Sequence, residues 1–130
     1  MQNSLFEQRL DNLKTVLDSN SQAVLLTNEK NIGYFCGFFH SEGYLLVTEN
    51  GTVLFVDFRY YEAALKKSSG CRVVCFTKLF KDLISELKNN SVVNVFFEAS
   101  DITVEKYNRF KKDFSENNIE CVCDGSLDHK

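Results

Sequence analysis

The chain has 130 residues, of which 44% are hydrophobic and 25% charged, with a formal net charge of −3. That length suits one domain able to bury its own core, and the acidity argues against an electrostatic nucleic-acid footprint, which needs a clustered positive excess. No apolar run approaches the ~20 residues of a membrane-spanning helix.

The N-terminal stretch MQNSLFEQRLDNL contains acids and no small-residue cleavage site, so it does not read as a signal peptide. Five cysteines, an odd number, without such a signal read as reduced thiols and predict a cytoplasmic protein.

The first helix opens on Ser4 and Glu7, a capping-box spacing that satisfies free backbone N–H groups. Phe6, Leu10, Leu13 and Leu17 then form one apolar stripe, predicting a helix to about residue 18. Residues 23–27 (AVLLT) predict a buried strand. Asn28 to Asn31 is polar punctuation, with Asn31 expected to cap a short helical turn over 34–36, around which Tyr34, Phe35 and Phe38 read as core packing.

Residues 43–48 (GYLLVT) and 52–57 (TVLFVD) flank Glu49-Asn50-Gly51, and Asn-Gly between apolar runs predicts a hairpin. A helix is expected over 58–67 and a strand over 71–76. Leu79, Phe80, Leu83, Ile84 and Leu87 line one side of the next helix. A strand at 93–97 follows, then a helix with Val104, Tyr107, Phe110 and Phe114 as its inner stripe, then an edge strand at 120–123. One hairpin inside an alternating pattern predicts a three-layer α/β/α sandwich, a single domain over 1–130, with a mixed sheet of five to six strands.

Chemistry is sparse. No phosphate-cradling loop, dinucleotide fingerprint or GxSxG elbow is present, and two histidines cannot build a multi-histidine metal cluster. Cys36 and His40 lie four apart but are not expected to share a helical face, so Cys36 reads as a small buried hydrophobe. Cys71 with Cys75, and Cys121 with Cys123, would gather as a zinc site only if their strands were neighbours, and buried thiols are the preferred reading. Lys66-Lys67 and Lys111-Lys112 read as solvated helix faces. Asp57 and Glu98 end apolar strands, where a carboxylate serves a site or caps the next helix. In Asp57-Phe58-Arg59-Tyr60-Tyr61-Glu62, Arg59 either pairs with Asp57 or Glu62 or points outward to a partner or substrate.

Arg9-Leu10, AVLLTNEKNIGYFCGF (23–38), SEGYLLVTENGTVLFVD (41–57), Arg59-Tyr60 and Glu62-Ala63-Ala64 together resemble the N-terminal domain of the creatinase/aminopeptidase P family. The resemblance implies a ribonuclease H-like α/β/α unit with no catalytic or metal-binding residue of its own. Chemistry in that family belongs to a C-terminal pita-bread domain, where two divalent metal ions, often manganese, activate a water for attack on the Xaa-Pro bond of proline-containing peptides. That domain is not contained in these residues, so the chain alone is expected to be inactive. What the resemblance implies for the chain is homo-oligomer assembly, packing against its own catalytic domain, and a loop at the rim of a neighbouring subunit's active site. By position that role falls on Phe39, His40, Ser41 and Glu42 and on Phe58, Arg59 and Tyr60, with Arg59 a candidate for the substrate carboxylate. Phe39-His40-Ser41 and Phe58 are larger than the small residues frequent in relatives, which enlarges the rim. The alternative is a stand-alone protein-binding module of the same fold, without peptidase activity and with neither nucleic acid nor membrane as partner.

Overall fold

A computed structural model describes residues 8–13, 17, 21–27, 29–37, 43–68, 71–98 and 103–124. Helix α1 covers residues 8–13. After it come β1 (Gln22–Leu26), α2 (Glu29–Cys36), β2 (Gly43–Thr48), β3 (Gly51–Val56), α3 (Tyr61–Lys67) and β4 (Arg72–Cys75). The chain continues through α4 (Leu79–Asn89), β5 (Asn94–Glu98), α5 (Val104–Ser115) and β6 (Glu120–Asp124). The six strands form one sheet in the order β4-β3-β2-β1-β5-β6. β2 runs antiparallel to both of its neighbours, while β1, β5 and β6 are mutually parallel, as are β3 and β4. The mixed sheet with one hairpin is the expected fold class.

Strand alternation sends successive side chains to opposite faces, and both faces of this sheet are apolar. Val24, Leu26, Leu45, Val47, Leu54 and Val56 face one layer, which α1, α2 and α3 cover with Leu10, Leu13, Ile32, Phe35 and Ala64. Ala23, Leu25, Leu46, Val53, Phe55, Val95 and Phe97 face the other, covered by Leu83 and Leu87 of α4 and Phe110 and Phe114 of α5. Strands read as continuous apolar runs because both faces are buried.

Four local expectations change. Helix α2 begins at Glu29, so Asn31 lies inside it rather than capping it; Glu29 and Lys30 are good helix formers and extend the helix backwards. Closure of the hairpin pairs Thr48 with Gly51, leaving Glu49-Asn50 as the loop and Gly51 as the first residue of β3. Thr48 Oγ1 accepts from the Asn50 N–H at 3.2 Å, which holds that turn. Tyr34, read as core, is 45% exposed; the Arg9 guanidinium lies 4.0 Å over its ring and donates to its carbonyl at 2.7 Å, tying α1 to α2. Val104 is 76% exposed rather than part of the inner stripe. Steps of three residues drift, so Val104 stands about 120° around the helix from Phe110. The Ser4–Glu7 capping box, Phe6 and Phe38 lie outside the described residues.

Helix α2 ends at Gly37, whose φ of 84° is left-handed and whose N–H reaches the Gly33 carbonyl at 2.8 Å. A side chain there meets the αL penalty, so Gly37→Ala is expected to lower stability by about 1–2 kcal/mol in chemical denaturation.

Candidate functional site

The strand-to-helix corner after β3 is built by Asp57. Its Oδ1 accepts the Arg59 backbone N–H at 2.9 Å, and its Oδ2 accepts Arg59 Nε at 3.1 Å and Nη2 at 2.7 Å. The Tyr60 N–H reaches the Asp57 carbonyl at 3.1 Å, completing a turn. This turn is why α3 starts at Tyr61 and not at residue 58. Of the two intramolecular partners open to Arg59, the structure shows Asp57, by way of a two-pronged contact with one oxygen. That hydrogen bonding with Arg59 holds the Asp57 carboxyl below its usual value, against a smaller opposing effect of burial. The Arg59 guanidinium also lies 5.3 Å from the Tyr60 ring centroid.

The corner fixes its polar groups and leaves its apolar one outside. Phe58 is 81% exposed, and the Arg59 side chain is 55% exposed in spite of its ion pair. Phe58 thus projects from a turn whose backbone Asp57 holds through the Arg59 and Tyr60 N–H groups.

Phe39, His40, Ser41 and Glu42 lie outside the described residues, as does the comparison of Cys36 with His40. Gly43, the first residue after that segment, is the register partner of Val56, the residue before Asp57.

Of the two sequence options, buried thiols hold for Cys36 and Cys121, while Cys71 is half-buried and Cys75 is exposed. β4 and β6 occupy opposite edges of the sheet, five strand spacings or roughly 24 Å apart, so the thiols they carry cannot form one zinc site. Cys36 is fully buried, and its thiol hydrogen-bonds Cys71; that bond lowers the Cys71 pKa despite opposing desolvation. Among the described residues no group of three or more His, Cys, Asp or Glu could hold a metal ion. No described helix is long and apolar enough to cross a membrane.

Sequence reasoning missed a second feature of this edge, a cavity between the first turns of α4 and α5. It draws on residues from Thr27 to Phe110, a juxtaposition that only the sheet order creates. Lys66, Lys67, Lys111 and Lys112 are exposed as solvated faces.

A three-layer α/β unit with five parallel strands, one reversed strand and a strand-end Asp-x-Arg corner defines the structural class. Residues 9–123 match the family model described as the Creatinase/Prolidase N-terminal domain, and the chain belongs to that family. A Mycoplasma genitalium protein described as a Xaa-Pro aminopeptidase is 30% identical over 101 residues, spanning 77% of this chain and 28% of that relative's length. A Xaa-Pro aminopeptidase structure from Streptococcus pyogenes superposes with a TM-score of 0.85 at 23% identity, covering 97% of each chain. The N-terminal domain of the cytoplasmic peptidase PepQ from Mycobacterium tuberculosis superposes with a TM-score of 0.81 at 26% identity, covering 95% of this chain and 98% of that one.

Proposed function

We propose that this chain acts as the non-catalytic N-terminal domain of a cytoplasmic Xaa-Pro metallopeptidase, an Xaa-Pro aminopeptidase or a proline dipeptidase. In this reading it serves homo-oligomer assembly and forms the rim of a neighbouring subunit's active site. The observation that carries the reading is Phe58, 81% exposed beside Arg59 on a turn pinned by Asp57. Burying such a side chain contributes about 1.5–3 kcal/mol, and aromatic residues and arginine are enriched where protein surfaces meet. Pre-organisation by Asp57 lowers the entropy lost when the corner docks. Hydrolysis of proline-containing peptides is assigned to a separate catalytic domain holding two divalent metal ions, manganese by resemblance to the family. The described residues do not fit those ions, since none of them form a ligand cluster.

Phe58→Ser and Arg59→Ala in the full-length peptidase test the corner. Both residues are exposed, so the melting temperature is expected to hold. Phe58→Ser is expected to weaken self-association at least ~10-fold, about 1.4 kcal/mol, or to raise KM for an Xaa-Pro peptide several-fold with kcat retained. Unchanged mass by light scattering together with unchanged KM would remove the corner from both roles.

A further inference from the structure

The cavity between α4 and α5 has a volume of about 1000 Å³ and opens where β1 and β4 end and β2 begins. That volume is at the top of the ~300–1,000 Å³ range of small-molecule sites. Its floor is aromatic. Tyr44 sits edge-on to Phe76 at 6.5 Å and to Phe110 at 6.0 Å, and Phe80 packs 5.1 Å from Phe110.

Its lining is cationic. Among the described lining residues, Lys78, Lys81, Lys106 and Arg109 stand against one acid, Glu105, a charge of +3 from four cations and one carboxylate. The whole chain carries −3, so this concentration runs against the composition. None of the four cations takes part in an ion pair among the described residues. Like charges gathered around a concavity with apolar walls repel one another and focus a positive potential into it, which an anionic occupant relieves. Arg109 adds shape to charge. Its guanidinium lies 4.7 Å over the Phe80 ring, and a planar, exposed guanidinium is a surface against which a flat group packs. At the start of α4 the Asp82 carboxylate accepts the Thr77 N–H at 3.2 Å and offsets part of that potential.

We infer that this cavity binds a small organic polyanion carrying a flat ring, the chemistry of a nucleotide: negative groups against Lys78, Lys81 and Lys106, and the ring over the aromatic floor beside Arg109. The inference is independent of the role given to the Asp57–Tyr60 corner, which leads to the opposite layer of the sheet.

Calorimetric titration of the 130-residue chain with ATP as probe tests it, with tripolyphosphate and adenosine as separate arms. ATP is expected to saturate a single site, more tightly than tripolyphosphate, with adenosine weakest. Lys81 and Lys106 are exposed, so K81E/K106E is expected to fold and to weaken ATP binding at least ~10-fold. K66E/K67E makes the same charge change on α3, across the sheet, and is expected to alter binding less than twofold. Absence of saturable ATP binding, equal losses in the two double variants, or hexaglutamate peptide binding as tightly as ATP would each overturn the inference. Tripolyphosphate binding as tightly as ATP would overturn recognition of the ring.

Discussion

Phe97→Ala is expected to lower the unfolding free energy by about 3–5 kcal/mol, the loss found when a buried phenylalanine is truncated and its site cannot collapse. Phe97 is fully buried on β5, flanked on the sheet by the parallel strands β1 and β6. Three rings of α5 surround it: Tyr107 edge-on at 5.7 Å, Phe110 at 5.4 Å and Phe114 at 6.5 Å. Removing the ring therefore takes a partner from each of them, and strand and helix backbones hold the void open. Since small domains retain only ~5–15 kcal/mol, the variant stands near the edge of folding. Urea denaturation reads the effect as a lower midpoint at unchanged slope. Val104→Ala on the same helix is the contrast, expected within about 0.5 kcal/mol because its side chain is already in water. A Phe97→Ala loss below about 1.5 kcal/mol would show that α5 closes down on the sheet.

Helix α5, which supplies both the rings around Phe97 and exposed Val104, marks what the sequence reveals and what it hides. Periodicity identifies the element and its buried residues Phe110 and Phe114, because a packed helix must repeat its apolar side close to every 3.6 residues. It does not locate the limit of the stripe: Val104 belongs to the pattern by spacing and to solvent by rotation. The continuous apolar runs of β1, β2 and β3 were equally readable, since a residue buried on either face must be apolar when helices cover both. Sheet order is another matter. Cys71 and Cys121 look alike along the chain, and only the order β4-β3-β2-β1-β5-β6 sends them to opposite edges and brings Cys71 to Cys36 instead. The corner was half legible. Asp57 and Arg59 are two apart, so their pairing was one of the local options, but the exposure of Phe58 depends on a turn that interrupts the expected helix. The cationic cavity left no local trace, because Lys78 and Lys81 open one helix while Lys106 and Arg109 belong to the first turns of another.

Alkaline pH is expected to destabilise the fold through Cys121, and Cys121→Val is expected to abolish that part of the loss. Cys121 lies on β6 opposite Val95, in the layer covered by α4 and α5. Burial pushes its thiol from 9.0 up to about 12; Lys111 pulls it down and Glu120 pushes it further up. Between those values the unfolded chain releases the proton while the folded chain keeps it. The folded state then binds more protons, and stability falls as pH rises, at up to about 1.4 kcal/mol per pH unit. Below pH 9.0 the contribution is present in full; by about pH 10.5 roughly 2 kcal/mol of it is gone. Cys71 works in the opposite sense, its thiol being lowered by the Cys36 hydrogen bond. It gains stability as pH rises towards 9.0, but it is present in wild type and variant alike, as are the tyrosines and lysines, so the difference between the two proteins isolates Cys121. Valine is apolar and close to cysteine in size, so the substitution keeps the packing while removing the proton. Urea titrations under reducing conditions from about pH 8 to about pH 10.5 are expected to show the wild type losing stability relative to Cys121→Val as the pH climbs. A difference that stays constant over that range would mean that water reaches the thiol and that β6 does not seal this edge of the core.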